Sequence, residues 1–140
     1  MSTAYLALGS NLGDRLQYIH KAIEELKNGG LKILKLSTVI ETKPVGGVPQ
    51  ENFLNAVLKA SVDHSPEELH FLTQAIERKL GRVKKIFNGP RVIDIDILLY
   101  DDIKLITPQL LIPHPRMLER SFVMGPLEEI DPGLCASLKL

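Results

Sequence analysis

The chain is poor in the features that mark disulfide-bonded, zinc-binding or membrane-inserted proteins. Of its 140 residues only Cys135 is a cysteine, so no internal disulfide can form, and no cluster of histidine and cysteine offers a zinc site. No apolar run approaches the roughly 18–20 residues that span a bilayer, and residues 1–5 lack the basic segment of a signal peptide. We therefore expect a cytoplasmic protein.

The chain also lacks net charge. Lysine plus arginine and aspartate plus glutamate both number 17, and this balance argues against a general surface for nucleic acid or anionic membranes. Repeats, low-complexity tracts and linkers are absent. With 44% hydrophobic and 24% charged residues, the composition is typical of a globular protein, and residues 1–140 are predicted to form one domain. A small anionic ligand fits this composition better than a macromolecule.

The apolar pattern predicts alternating strands and helices in the order β-α-β-β-α-β. The turn at residues 9–14 has neither a third glycine nor Gly-Lys-Ser/Thr, so we interpret it as a plain connection and not as a phosphate-binding loop. Ser65 is expected to cap the second helix, with Glu68 closing a capping box. The expected elements are a strand at 4–8, a helix at 16–26, strands at 33–40 and 53–58, a helix at 65–80, a strand at 92–100 and a short return strand at 103–106.

The strand at 92–100 carries two carboxylates where apolar residues would be expected. Side chains alternate along a strand, so Asp94 and Asp96 should share one face, with their Cα atoms roughly 6.5–7 Å apart. Their like charges disfavour each other, and a cation such as Mg²⁺, which prefers oxygen ligands, would relieve the repulsion. We expect Ile93, Ile95, Ile97 and Leu99 on the buried face and Val92, Asp94, Asp96 and Leu98 on the other. A strand with one solvated face is the alternative.

A cationic segment precedes these carboxylates. From residue 78 to residue 91 there are six basic residues and no acidic one, and two glycines and a proline interrupt the run. Such a run is usually a solvated face, but these breaks favour a loop over a helix. Together with the paired carboxylates, a cationic loop suggests a polyphosphate and its metal. The six are Arg78, Lys79, Arg82, Lys84, Lys85 and Arg91.

Other segments offer candidate ligand contacts. The connection at 41–50 is long for a hairpin and is either a functional lid or a plain surface loop. Phe53 and Asn55 share a strand face and could stack on and hydrogen-bond to a heterocycle, although Phe is more often core and Asn often a turn residue. Gln74 and Glu77 are most simply solvated helix positions. His114 lies between two prolines, and Arg116 and Arg120 are expected to share a face of the following helix.

Taken together, these motifs resemble those of the hydroxymethyldihydropterin pyrophosphokinases of folate biosynthesis. The resemblance covers nearly the whole chain in order and is most specific around the two aspartates. It implies a ferredoxin-like α+β fold, with a mainly antiparallel sheet and helices packed against it. It also implies transfer of the diphosphate of ATP to a pterin alcohol by in-line attack on the β-phosphorus, with release of AMP. The matching motifs are Gly9-Ser10-Asn11-Leu12, Thr42-Lys43-Pro44-Val45-Gly46, Phe53-Leu54-Asn55-Ala56, Gly81-Arg82-Val83, Gly89-Pro90-Arg91-x-x-Asp94-Ile-Asp96-Ile-Leu, Ile112-Pro113-His114-Pro115 and Arg120-x-Phe122-Val123.

The resemblance assigns roles to particular residues. Asp94 and Asp96 would hold two Mg²⁺ ions and, with Arg82 and Arg91, would form the catalytic group. Phe53 and Phe122 would sandwich the pterin. The residues expected to bind ATP are Gln74, Glu77, Arg82, Lys84, Lys85, Arg91, Ile97, His114, Arg116 and Arg120. The residues expected to bind the pterin substrate are Thr42, Pro44, Val45, Phe53, Asn55, Asp94 and Phe122.

The sequence departs from the family pattern in the cationic loop. Lys84 stands where the best-known members carry arginine, and Asn88 stands where a tryptophan is common, so we expect the closed loop to be sealed differently. Some members are fused to the next folate-pathway enzyme, which makes association with that enzyme an expectation for this chain too.

Two other function classes compete with this interpretation. A non-catalytic ferredoxin-like ligand-binding module would explain the fold but not the coincidence of aspartates, arginines and His114, and it would form no AMP. A two-metal nuclease or nucleotidyl transferase would use the same carboxylates. The zero net charge and the Phe53, Asn55 and Phe122 pocket count against a nucleic-acid substrate.

Overall fold

The computed structural model describes residues 1–44, 49–82 and 90–138. These residues form seven strands, four α-helices and a 3₁₀ helix, Met117–Glu119. The elements in chain order are β1 (Ser2–Ser10), α1 (Arg15–Asn28), β2 (Lys32–Leu36), β3 (Ile40–Thr42), β4 (Phe53–Val62), α2 (Pro66–Lys79), β5 (Asp94–Tyr100), β6 (Leu105–Ile106), β7 (Leu111–Ile112), α3 (Ser121–Ile130) and α4 (Pro132–Leu138).

The main sheet is antiparallel and has β1 and β4 at its centre. Its order is β2-β4-β1-β5, and β3 continues the β2 edge by pairing with the first residues of β4. Helices α1 and α2 cover one face, while α3 packs on the other face against β4 and is joined by α4. The predicted α+β class, with a mainly antiparallel sheet and helices packed against it, is confirmed.

Both faces of the sheet are buried over much of their area. The larger cluster joins α1 and α2 to strand residues such as Leu6, Leu8 and Ile95. A second cluster joins α3 and α4 to Tyr5 and Val57. Apolar burial of this kind contributes about 25 cal/mol per Å² removed from water, so the two clusters hold the sheet in place from both sides.

The predicted facing of β5 is wrong for Leu99. Leu6 pairs with Ile97, but the preceding β1 residue, Tyr5, pairs with Leu99. The extra residue, Leu98, therefore forms a bulge, which resets the alternation of side chains. Leu98 and Leu99 both join the α3 cluster, and Tyr100 returns to the α1 and α2 side.

Two other predicted strands differ from the structure. The strand expected at 33–40 is divided, because the Ser37 hydroxyl, and not a backbone carbonyl, accepts the Val57 N–H at 2.9 Å. The segment expected to return along β5 turns away after Asp101, which has a positive φ of 48°. Its strand, β6, pairs with β7 in a separate two-stranded sheet.

The start of α2 follows the predicted capping box. The Ser65 hydroxyl accepts the Glu68 N–H at 3.1 Å, and the Glu68 carboxylate accepts the Ser65 N–H at 2.8 Å. Pro66 occupies the first turn, where no N–H is required.

Replacing Ser65 with alanine should therefore lower the free energy of unfolding by about 1 kcal/mol, because one N–H of the first turn loses its acceptor. Urea denaturation followed by circular dichroism would measure the change. An unchanged midpoint at an unchanged slope would show that water replaces the hydroxyl at no cost.

Within the described ranges, no helix combines the length and the apolar character needed to cross a bilayer.

Candidate active site

A cleft opens on the α3 side of the sheet, where β1, β4 and β5 run side by side. The strand register brings the side chains of β4 and β5 together in this cleft, because Gly9 of β1 pairs with Asn55 on one side and with Asp94 on the other. Predicted site residues from four separate segments line this cleft. They are Thr42, Phe53, Asn55, Arg91, Asp94, Asp96, Arg120 and Phe122.

Gly9 keeps the floor of the cleft open. A Cβ atom at this position would lie 3.1 Å from Asn55 Oδ1 and 3.6 Å from the Phe53 ring. Any side chain would therefore fill the space between the β4 residues and Asp94. The turn at residues 9–14 is therefore not the plain connection that was predicted, and the early glycine was the signal for this role in the sequence.

The side-chain amide of Asn55, a polar group in the cleft, is held in place by a residue of β3. Asn55 is 6% exposed, and its amide donates a hydrogen bond to the Thr42 hydroxyl. Thr42 is brought there because it pairs with Phe53 across the β3–β4 ladder. The remaining acceptor and donor of the Asn55 amide are thus set in a fixed orientation beside the Phe53 ring.

Two arginines converge on Asp94. Arg82 Nη1 lies 2.7 Å from one carboxylate oxygen, and Arg91 Nε lies 3.7 Å from the other. The Arg91 guanidinium also stands 5.0 Å from the centroid of the Phe53 ring, within the range of a cation–π contact. These contacts connect the aromatic part of the cleft to its carboxylates.

Glu77 is not the solvated helix position that the sequence suggested. Its side chain is 14% exposed, and one carboxylate oxygen accepts the Ile95 N–H at 2.7 Å and Arg82 Nη1 at 2.9 Å. Burial is the largest influence and raises the pKa of Glu77 to about 7, with repulsion from Asp94 adding and the Ile95 and Arg82 contacts opposing. Glu77 became buried because α2 packs against β5, which helical periodicity alone does not reveal.

The raised pKa of Glu77 predicts a pH-dependent stability. Between pH 4.5 and about 7 the folded protein binds a proton that the unfolded chain releases, so the free energy of unfolding should fall as the pH rises through this window. The full effect is up to about 3 kcal/mol, at about 1.4 kcal/mol per pKa unit. Glu77→Gln should flatten this part of the curve, and Glu67→Gln, an exposed change in the same helix, should not. Denaturation of the metal-free protein at several pH values would test this, and parallel curves for wild type and Glu77→Gln would contradict it.

Asp96 is a half-buried carboxylate at the junction of two clefts. Burial, together with the charges of Asp94 and Glu77, raises the pKa of Asp96 well above its usual range, while Arg120 acts in the opposite direction. Asp96 lines the first cleft and also a second one on the other side of β5, which contains Ile97 and His114. The two clefts therefore share this carboxylate.

His114 faces the second cleft from a fixed backbone position. Its N–H donates to the Leu98 carbonyl at 2.9 Å, and its Nδ1 accepts the Arg116 N–H at 3.3 Å. Burial lowers the pKa of His114, with Arg120 adding to this effect and Asp94 opposing it. The imidazole is therefore held neutral near pH 7, with Nε2 left to contact a ligand.

Among the remaining predicted site residues, Arg120 lines the first cleft, whereas Arg116, Gln74 and Pro44 line neither cleft. Arg116 and Arg120 flank the 3₁₀ helix and do not share a helix face, because Arg120 has an extended backbone (φ −108°, ψ 105°). The Arg116 side chain is 55% exposed and pairs with Glu119. Gln74 is exposed on a neighbouring groove, and Pro44 lines neither cleft. Val45, Lys84 and Lys85, as well as Asn88, lie outside the described residues.

Asn11 is a further buried residue near the site that was not predicted. It was assigned to the same plain connection as Gly9, yet it is buried and hydrogen-bonds to the segments on both sides of the cleft. Its only sequence signal was its place in the Gly-Ser-Asn-Leu motif.

In this antiparallel α+β domain, the cleft that contains the aromatic rings and the Asn55 amide meets a second cleft at Asp96. Two adjoining clefts of this kind suit an enzyme that transfers a group between two small molecules. The comparison with known families is specific. A family model described as 7,8-dihydro-6-hydroxymethylpterin-pyrophosphokinase (HPPK) matches residues 5–132, and the chain belongs to this family. The family and the enzyme class predicted from the sequence, an ATP-dependent diphosphotransferase, are both confirmed.

Individual relatives agree with this assignment. The chain is 49% identical over 134 residues to the 2-amino-4-hydroxy-6-hydroxymethyldihydropteridine pyrophosphokinase of Aquifex aeolicus, covering 96% of this chain and 83% of the relative. It is 48% identical over 130 residues to the folic acid synthesis protein fol1 of Pneumocystis carinii, covering 93% of this chain but only 18% of that longer protein.

A solved structure confirms the fold. The crystal structure of Plasmodium falciparum HPPK-DHPS wild type with pteroate matches with a TM-score of 0.71 and 17% identity, over 91% of this chain and 38% of that one. At this identity the likeness concerns the fold alone. The predicted ferredoxin-like architecture is confirmed.

Proposed function

We propose that this chain transfers the diphosphate of ATP to 6-hydroxymethyl-7,8-dihydropterin and releases AMP, as a step of folate biosynthesis. The observation that carries the proposal, beside family membership, is the position of Asp96 in the wall of both clefts. A reaction that joins a heterocyclic alcohol to a polyphosphate needs two sites that meet at a point of concentrated charge.

The first cleft suits the pterin. Phe53 and Phe122 would stack on the two faces of the bicyclic ring, and the fixed Asn55 amide would hydrogen-bond to its edge. Thr42 supports this contact by holding the Asn55 amide. In this arrangement the hydroxymethyl group would point toward Asp94 and Asp96.

The second cleft and the arginines suit the nucleotide. Ile97, His114 and the arginines at positions 82, 91 and 120 are the described groups that would bind ATP. Phosphoryl-type transfer depends on positioning and on neutralising charge more than on covalent chemistry. The guanidinium groups near Asp94 would bind the phosphate oxygens and align the β-phosphorus with the pterin hydroxyl.

The carboxylate pair fits a magnesium site. No cluster of three or more His, Cys, Asp or Glu side chains suited to a metal exists in the part of the chain that the structure describes. A pair of carboxylates is nevertheless the protein contribution that Mg²⁺ usually receives, with phosphate oxygens and water completing the coordination. Burial and repulsion from Asp94 raise the pKa of Asp96, and a cation would relieve the repulsion. We propose that Asp94 and Asp96 hold two Mg²⁺ ions, which would neutralise charge on the attacking and leaving oxygens.

The bond changes follow from this placement. The pterin hydroxyl oxygen would form a bond to the β-phosphorus while the bond from that phosphorus to the bridging α–β oxygen breaks. The leaving group is AMP, and the hydroxyl proton passes to solvent or to a neighbouring base. The residues of the chain contribute alignment, charge neutralisation and partial exclusion of water.

The test is the identity of the nucleotide product. With ATP, Mg²⁺ and the reduced pterin alcohol, chromatography should show AMP and pterin diphosphate in equal amounts. A pterin with a methyl group in place of the hydroxymethyl group should give no AMP, because the nucleophile is missing. ADP as the product, or AMP formed equally with the methyl analogue, would contradict the proposal.

The wider setting of the enzyme also belongs to the proposal. We propose that residues 1–140 form a single catalytic domain that is able to associate with a neighbouring enzyme of folate synthesis. The support is that the similar structure, HPPK-DHPS, is a longer chain of which this domain matches only 38%. The cytoplasmic location expected from the sequence stays a prediction.

A further inference from the structure

Asn11 stands behind the first cleft and lines neither cleft. It follows β1 directly and is 1% exposed. An amide side chain this deeply buried requires hydrogen-bond partners, since an unsatisfied buried polar group is costly. Its partners belong to the two segments that lead into the site.

One pair of hydrogen bonds fixes Arg91. The Asn11 N–H donates to the Arg91 carbonyl at 3.1 Å, and Asn11 Oδ1 accepts the Arg91 N–H at 2.9 Å. Both peptide groups of Arg91 are thus held, which sets where its side chain departs from the backbone. From there the guanidinium reaches the Phe53 ring, and Nε lies 3.7 Å from Asp94.

A second pair of hydrogen bonds fixes the segment before β4. Asn11 Nδ2 donates to Gln50 Oε1 at 2.7 Å and to the Glu51 carbonyl at 3.0 Å. This segment runs directly into Phe53, the ring beneath the Arg91 guanidinium. Asn11 is therefore hydrogen-bonded to Arg91, the Arg91 guanidinium contacts the Phe53 ring, and residues 51–53 connect Phe53 back to Asn11.

We propose that Asn11 is a positioning residue that aligns Arg91 with Phe53 and Asp94, and so aligns the nucleotide side of the site with the pterin side. The inference rests on the proposed function for its catalytic meaning. Asparagine suits the position because one short side chain supplies an acceptor toward Arg91 and two donors toward residues 50 and 51. Aspartate keeps the acceptor but has no donor, and alanine has neither.

The kinetic effect should be large for a residue that touches no substrate. A displacement of about 1 Å in a reacting group can cost roughly a hundredfold in rate. Asn11→Ala should lower kcat at least about tenfold and raise the pterin KM about tenfold. Asn11→Asp should raise the pterin KM to a similar extent but keep kcat within about threefold of wild type, because the acceptor for the Arg91 N–H remains.

A matched control separates alignment from simple destabilisation. Ser37 is also buried and bridges two segments, accepting the Val57 N–H at 2.9 Å and donating to the Thr38 carbonyl at 3.0 Å, but it lies at the β2–β3 junction and lines neither cleft. Ser37→Ala should lower the thermal midpoint without changing kcat or either KM by more than about twofold. A second readout needs no turnover: amide hydrogen exchange at Arg91 should quicken in Asn11→Ala and stay as in wild type in Asn11→Asp and Ser37→Ala.

The possible results divide clearly. The proposal stands if three results are obtained together. Asn11→Ala must change both kcat and the pterin KM, and Asn11→Asp must change chiefly the pterin KM. Ser37→Ala must change neither constant. It is overturned if Asn11→Ala leaves the kinetic constants within about twofold of wild type, or changes them no more than Ser37→Ala does. Unchanged Arg91 amide exchange in Asn11→Ala also overturns it, whatever the activity. Absence of AMP from the wild-type enzyme would instead refute the proposed function, and the exchange experiment would still decide the placement of Arg91.

Discussion

Asp96→Asn should abolish most diphosphate transfer, by at least about a thousandfold in kcat, while leaving the fold intact. The substitution keeps the volume of the side chain and removes its charge. Loss of one preorganised group that stabilises transition-state charge commonly costs 10²–10³ in kcat, and loss of a ligand to the proposed Mg²⁺ ions would add to this. Steady-state AMP formation at saturating Mg²⁺ would measure the effect.

The same substitution should not destabilise the metal-free protein. Asp96 lies between the charges of Asp94 and Glu77, and that repulsion is part of the reason for its raised pKa. Removing the charge removes the repulsion, so the thermal midpoint above pH 7 should stay the same or rise. Asp94→Asn should instead lower the thermal midpoint, because Arg82 would lose its 2.7 Å ion pair with the Asp94 carboxylate.

Asp102→Asn provides the matched control for Asp96→Asn. It makes the same chemical change at an exposed position in the turn after β5 and should affect neither activity nor stability. Near-normal turnover by Asp96→Asn, with an unchanged circular dichroism spectrum, would show that the carboxylate pair is not the centre of the reaction.

Asn55→Ala should weaken pterin binding about a hundredfold and change ATP binding by less than about twofold. A site that hydrogen-bonds to a polar substrate loses much of its affinity when the protein partner is removed, because the buried polar groups of the substrate are left unpaired. The Asn55 amide is 6% exposed and oriented by Thr42, so water could replace it only poorly. Calorimetric titration with each ligand would give the two affinities.

A control in α2 guards against a structural explanation for Asn55→Ala. Thr73 is 1% exposed, and its hydroxyl donates to the His70 carbonyl at 2.8 Å. Thr73→Ala therefore also removes a buried hydrogen bond, but away from the pterin cleft. Equal weakening of pterin and ATP binding by Asn55→Ala would mean that this residue supports the fold and does not recognise the pterin.

Local chemistry explains which features were predictable from the sequence. The capping box of α2 depends on Ser65 and Glu68, three residues apart, and it was predicted correctly. The shared face of Asp94 and Asp96 follows from the two-residue period of a strand, and it too was correct. Such features need no knowledge of what packs against them.

The features that were missed all depend on distant neighbours. The burial of Glu77 arises only when α2 docks on β5. Gly9 keeps the floor of the cleft open only because β1 lies between β4, which carries Asn55, and β5, which carries Asp94. Arg116 and Arg120 were assigned to one helix because their spacing allowed it, but the chain forms a 3₁₀ helix between them. In each case a local pattern permitted several outcomes, and tertiary packing selected one.

The bulge at Leu98 has a consequence for the length of β5. Leu6 pairs with Ile97, and Tyr5 pairs with Leu99, so Leu98 is the one residue of the strand without a counterpart opposite it on β1. A chain that lacked Leu98 would form an unbroken ladder here, with Asp94 and Asp96 still facing the cleft and Tyr100 still facing α1 and α2. Deletion of any single paired residue before it would turn part of the strand over. Loss of one residue at Leu98 would therefore shorten this strand without reversing the carboxylates.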